Sequence, residues 1–112
     1  MKNAIETLKE TFENAQIFKK LNPEMAKNYK LTHDQVFKDG VLDQKTKELI
    51  AVAVAVVFQC DPCISAHTHN LAKLDVESDA VAEACAVAIS VAAGSKFAYS
   101  SLAIKALEEF KS

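Results

Sequence analysis

The stretch Gln44-Lys45-Thr46-Lys47-Glu48-Leu49-Ile50-Ala51-Val52-Ala53-Val54-Ala55-Val56-Val57-Phe58-Gln59 decides the fold class. Its middle, Ala51–Val57, alternates with a period of two and invites reading as a β-strand. Such alternation defines a half-buried strand only when one partner is polar, and here both are apolar. The segment is longer than an ordinary strand. It opens with Asp43, a good N-cap, and a charged turn, Lys45-Thr46-Lys47-Glu48. The expectation is a helix over Gln44–Gln59, apolar all round and therefore buried.

The rest of the chain has the same character. Of 112 residues, 50% are hydrophobic and 18 are alanine, the strongest helix former. Glycine and proline occur only twice each, too few to punctuate a many-stranded sandwich or barrel. The length fits a single domain over residues 1–112. Thirteen basic and fifteen acidic side chains leave a net charge of −2, with no basic excess to drive nucleic-acid binding. The N-terminus shows alternating charges and no signal peptide. The longest uninterrupted apolar run, Leu49–Phe58, is short of the roughly 20 residues of a spanning helix. A soluble cytoplasmic protein is expected, with no membrane partner.

Five further helices follow from caps and periodicity. The first runs from about Ala4 to Leu21, with Ile5, Leu8, Phe12 and Ala15 at three-to-four spacing. Asn22-Pro23 restarts the chain into a second helix, which reaches about Lys38 and stops at Asp39-Gly40 in a left-handed turn. Asp61 caps a fourth helix with Pro62 as its first residue, ending near Leu74 with Asp75 left-handed. A fifth spans Ser78–Ala93 and stops at Gly94, and a sixth spans about Lys96–Phe110. The third and fifth helices are too apolar for the outer layer of a lone bundle, which predicts a homo-oligomer.

The chemistry concentrates in Cys60-Asp61-Pro62-Cys63-Ile64-Ser65-Ala66-His67-Thr68-His69. Two thiols three residues apart can bond to each other or share a metal. Cys63 falls in the first turn of the fourth helix, where free N–H groups and the helix dipole favour a thiolate. His67 lies one turn further on the same face and can take or return a proton. Cys60 is close enough to attack an oxidised Cys63. A zinc reading with Cys60, Cys63, His67 and His69 also stands, although the two histidines, two apart, face different sides of a helix. His69 reads as a surface or interface residue, His33 as a solvated one and Cys85 as a small core residue. Glu48 alone reads as a first-turn glutamate favouring the helix dipole.

These residues together resemble the alkylhydroperoxidase D-like branch of the carboxymuconolactone decarboxylase superfamily. The resemblance rests on Glu48, then Cys60-x-x-Cys63, then His67. Lys47-Glu48-Leu49-Ile50-Ala51-Val52 before the cysteines and Ala66-His67-Thr68-His69-Asn70 after them add to it. It covers roughly Leu21–Phe110. It implies an all-α, compact six-helix domain assembled as trimers or hexamers. It implies a thiol peroxidase or disulfide reductase, needing no cofactor and no metal. Its substrate would be a hydroperoxide, and its reductant an external dithiol or a lipoylated protein. By position, Cys63 would be the peroxidatic cysteine that becomes a sulfenic acid. Cys60 would be the resolving cysteine and proton donor, and Glu48 and His67 the proton relay. The sequence departs from peroxidase members at Pro62, where they commonly carry a histidine. Two other readings remain at this point: a lactone decarboxylase, which does not need the cysteine pair, and a non-enzymatic redox-sensing or metal-binding helical module. Glu48 and His67 also sit at different depths along their helices, so a straight antiparallel hairpin would leave them apart.

Overall fold

The ambiguous stretch is helical. In a computed structural model describing Met1 and residues 3–112, Gln44–Phe58 forms one helix, α3. Asp43 caps it, its Oδ1 accepting the Thr46 N–H at 2.8 Å. The chain leaves α3 through Gln59, which takes the left-handed conformation. Before α3 come α1 (Ala4–Leu21) and α2 (Pro23–Val36), and after it come α4 (Asp61–Lys73) and α5 (Ser78–Lys111). The described residues contain helices and turns but no strand.

Five helices are present among the described residues, where six are expected from the sequence. The difference is at Gly94, which lies inside α5. Its φ is not positive, so it makes no left-handed stop. Glycine in a helix interior costs only about 1 kcal/mol relative to alanine, and no proline follows to enforce the break. Alanine-rich sequence on both sides carries the helix through. Gly40 is not left-handed either. α2 ends at Val36, and the following loop is held by side chains instead. Lys47 donates to the carbonyls of Val36 and Lys38 at 2.8 and 2.6 Å, and Asp39 accepts from the Gln44 N–H at 2.7 Å. Asp75 is left-handed as expected, with φ 55°.

α3 packs against α4 and α5, and α1 packs against α2 and α4. The buried apolar set is small: Val52 and Ala55 on α3, Leu71 on α4 and Ala88 on α5. The expectation that α3 and α5 are buried therefore holds only in part within one chain. Ile50, Val54 and Phe58 on α3 are exposed, as are Val87, Ile89, Val91, Phe97 and Leu102 on α5. The radius of gyration is 18.5 Å. A compact chain of this length measures about 13 Å. The accessible surface is 8968 Å². A compact monomer of this mass exposes about 6,100 Å².

The fused α5 also alters the expectation about membrane-spanning length. Across Ser78–Lys111 it is long and apolar enough to cross a membrane by length and composition, although no single uninterrupted apolar run is. Lys96 lies in the middle of it.

Candidate functional site

The start of α4 brings the two cysteines together. Cys60, rather than Asp61, is the N-cap, and its Sγ accepts the Cys63 N–H at 3.3 Å. Asp61 and Pro62 are the first two helical residues, where a missing proline N–H costs nothing. Cys60 and Cys63 are joined as a disulfide, with their Cα atoms 5.3 Å apart. Both sulfurs therefore sit at the helix N-terminus, among its free N–H groups. Both cysteines are half-buried. α1 is tied to the next turn of the same helix, where the buried Ser65 hydroxyl donates to the Ala4 carbonyl.

One turn along α4, His67 meets Glu48. His67 Nδ1 lies 2.7 Å from Glu48 Oε2 within a single chain. Glu48 is 1% exposed, the most buried side chain of the structure. Its other oxygen, Oε1, accepts from Asn70 Nδ2 at 3.1 Å. Asn70 explains how the depth mismatch is bridged. Glu48 lies about 15 Å from the end of α3, and Asn70 about 13.5 Å into α4, so those two are nearly level. The carboxylate spans from Asn70 back to His67, one turn closer to the cysteines. A buried carboxylate costs little only when its oxygens are hydrogen-bonded, and both of these are.

His33 and Phe37, contributed by α2 and the residue after it, cover the His67 ring. The His33 and His67 ring centroids are 5.9 Å apart at an interplanar angle of 22°, and Phe37 lies 5.1 Å from His67 at 27°. His33 and Phe37 themselves stand 4.6 Å apart. His33 is thus half-buried in an aromatic stack and not the solvated residue expected from the sequence. A cavity of about 590 Å³ opens beside this stack, lined by His33, Phe37, Lys38, Glu48, Asn70 and Lys73 among others.

The structure thus joins Cys60 to Cys63 and Glu48 to His67, and α4 carries Cys63 and His67 one turn apart. Asn70, His33 and Phe37 join them without having been singled out in the sequence. Asn70 carried a usable signal, because three residues after His67 is the same helix face. His33 and Phe37 carried none, since they reach His67 only through tertiary contacts. His69 is exposed, as expected, and Cys85 is a half-buried free thiol. The four residues of the zinc reading do not converge. The sulfurs are bonded to each other, His67 faces Glu48, and no group of three metal-ligating side chains occurs among the described residues.

A model of the carboxymuconolactone decarboxylase family matches residues 23–106 of this sequence. The chain belongs to that family. A solved carboxymuconolactone decarboxylase family protein from Legionella pneumophila, in its apo form, superposes with a TM-score of 0.76 at 34% identity, over 97% of both chains. A protein from Methanobacterium thermoautotrophicum superposes with a TM-score of 0.71 at 33% identity, over 76% of this chain and 96% of its own. The all-helical architecture is thus that of the carboxymuconolactone decarboxylase family. Among curated proteins, an uncharacterised protein of the cox locus of Paracoccus denitrificans is 42% identical over 74 residues, covering 66% of this chain and 67% of its own. An uncharacterised protein of Haemophilus influenzae is 46% identical over 48 residues, covering 43% of this chain and 42% of its own.

Proposed function

We propose that this chain is a thiol-dependent oxidoreductase of the alkylhydroperoxidase D-like type, reducing hydroperoxides through a Cys60/Cys63 dithiol–disulfide cycle. The observation that carries it is the cysteine pair, bonded at the start of α4, with the buried Glu48–His67 hydrogen bond one turn further along that helix. In the reduced chain, His67 takes the Cys63 proton and holds it while the Glu48 carboxylate hydrogen-bonds the other ring nitrogen. The Cys63 thiolate attacks one peroxide oxygen. An S–O bond forms, the O–O bond breaks, and the departing alkoxide takes a proton from the Cys60 thiol or His67. The Cys63 sulfenic acid then condenses with Cys60, releasing water and forming the disulfide. An external dithiol, such as a lipoylated protein, restores both thiols by exchange and is itself oxidised.

The excess exposed surface supports homo-oligomeric assembly, and a trimer or hexamer in the cytoplasm is part of this proposal. A single chain exposes about 2,900 Å² more than a compact monomer would, the size of an obligate interface. Much of it is the apolar face of α5. In this reading other subunits, and not lipid, cover that face.

One observation favours a second reading. The large cavity is lined by Glu48 and Asn70, and neither the cysteines nor His67 is among its lining residues. A decarboxylase-like reaction using Glu48 as acid or base on a molecule held in that cavity would be served by that arrangement. One experiment separates the two. Reduced chain is treated with limited hydrogen peroxide, and sulfenic acid is trapped and read by intact mass, for the natural sequence and Cys60→Ser. Trapping at Cys63 in Cys60→Ser supports the thiol cycle. A dithiol left unoxidised by excess hydroperoxide rules it out. Lactone decarboxylation that survives in the Cys60→Ser/Cys63→Ser double variant would establish the second reading.

A further inference from the structure

We infer that His33 is a positioning residue for the Glu48–His67 pair, its flat ring forming with Phe37 the wall that fixes the plane of the His67 imidazole. The inference rests on the thiol-oxidoreductase reading for its kinetic consequence, but its geometry stands apart from it. A single hydrogen bond from Nδ1 to Glu48 leaves the His67 ring free to swing about that bond. A proton carrier must hold its second nitrogen in one direction, because transfer needs a heavy-atom approach of about 3 Å. His33 and Phe37 supply the missing restraint. Both rings lie within 30° of parallel to His67, and they also touch each other. Offset stacks of this kind favour one orientation of the ring over others.

The wall is itself anchored beside Glu48. Lys47, its neighbour in sequence, donates to the carbonyls of Val36 and Lys38 on either side of Phe37. Tyr29 backs His33 from the preceding turn, with centroids 6.1 Å apart. His33 also lines the cavity together with Glu48. The charged and titratable groups around it are Asp34 and Lys38 at the end of α2, Asp39 in the loop, Glu48 on α3, and His67 and Lys73 on α4. His33 acts here through the shape of its ring.

Two substitutions separate shape from ionisation. His33→Phe keeps a flat ring without a titratable nitrogen, and His33→Leu keeps comparable bulk without the flat ring. The oxidation rate of the reduced Cys60/Cys63 pair by hydrogen peroxide is measured against pH for each. His33→Leu is expected to slow oxidation about fivefold, the scale of one aromatic contact, and to shift the pH profile. His33→Phe is expected to stay within about twofold of the natural sequence. The orientation of the His67 ring, read from NMR contacts between its ring protons and those of Phe37, provides a measure independent of turnover. It should be a single orientation with the natural residue and with phenylalanine, and averaged with leucine. A His33→Leu chain with unchanged rate, profile and ring contacts would overturn the inference. So would a His33→Phe chain as slow as His33→Leu, which would assign the role to the imidazole nitrogens. If the natural sequence does not react with peroxide, the peroxidase reading fails, and the ring-contact comparison still decides the role of His33.

Discussion

Glu48 and His67, nineteen residues apart in sequence, share a 2.7 Å hydrogen bond in the most protected part of the chain. The first prediction follows from that bond. Glu48→Gln keeps the shape and the Asn70 contact but removes the charge that stabilises a protonated His67. Oxidation of the reduced cysteine pair should slow by about a hundredfold, the low end for loss of a general acid or base. Stopped-flow kinetics with hydrogen peroxide would measure it. Thermal stability should change far less than in Glu48→Ala, which strands two half-buried hydrogen-bonding partners at no more than about 1–3 kcal/mol each.

Asp43 offers a prediction in pH. The Thr46 side chain and backbone N–H hold its carboxyl below the ordinary aspartate range. A lowered pKa in the folded state means that the charged carboxylate stabilises the fold above the unfolded pKa of about 3.9. That stabilisation is lost as pH falls through the folded value. Asp43→Ala should therefore unfold at a lower temperature at neutral pH, and the difference should narrow in acid. Melting curves collected at several pH values check it.

Gly94 tests the continuity of α5. A Cβ added there meets nothing within 4 Å, and the backbone is helical. Gly94→Ala should stabilise the chain by about 0.5–1 kcal/mol in urea unfolding. A loss of stability would mean that the helix is broken there or that a second subunit packs against the bare backbone.

The apolar face of α5 gives a prediction about assembly. Leu102 is half-exposed in the single chain. If other copies cover it, Leu102→Glu should shift sedimentation toward smaller species, because an unpaired carboxylate in an apolar interface is costly to desolvate. An unchanged sedimentation profile would place the interface elsewhere.

Much of this arrangement is legible in the sequence. Caps and periodicity mark the first four helices, the spacing of Cys60, Cys63 and His67 places those three at the start of α4, and Glu48 is singled out only by the family resemblance. The parts that are not legible have separate physical causes. Gly94 is a strong local stop signal, yet a cost of about 1 kcal/mol cannot break a helix whose flanks are rich in alanine. Asp61 is a better N-cap than cysteine by propensity, but the Cys60 sulfur occupies that place once it is bonded to Cys63. His33 and Phe37 reach the site through tertiary contacts, with Lys47 of α3 holding the Val36 and Lys38 carbonyls at the end of α2, and no local pattern encodes those contacts.

The second half of α5 has a consequence for motion. Every residue from 93 to 112 is exposed, so about 20 residues of helix rest on nothing from their own chain. A helix of that length is only marginally stable alone in water, because few of its hydrogen bonds are shielded. The amide hydrogens beyond Ala92 should therefore exchange quickly in a dilute solution of separated chains and slowly at concentrations where copies associate. Exchange in α3 and α4 should follow concentration much less. The outer half of this helix thus reports assembly, while the helices carrying Glu48 and His67 keep their own order.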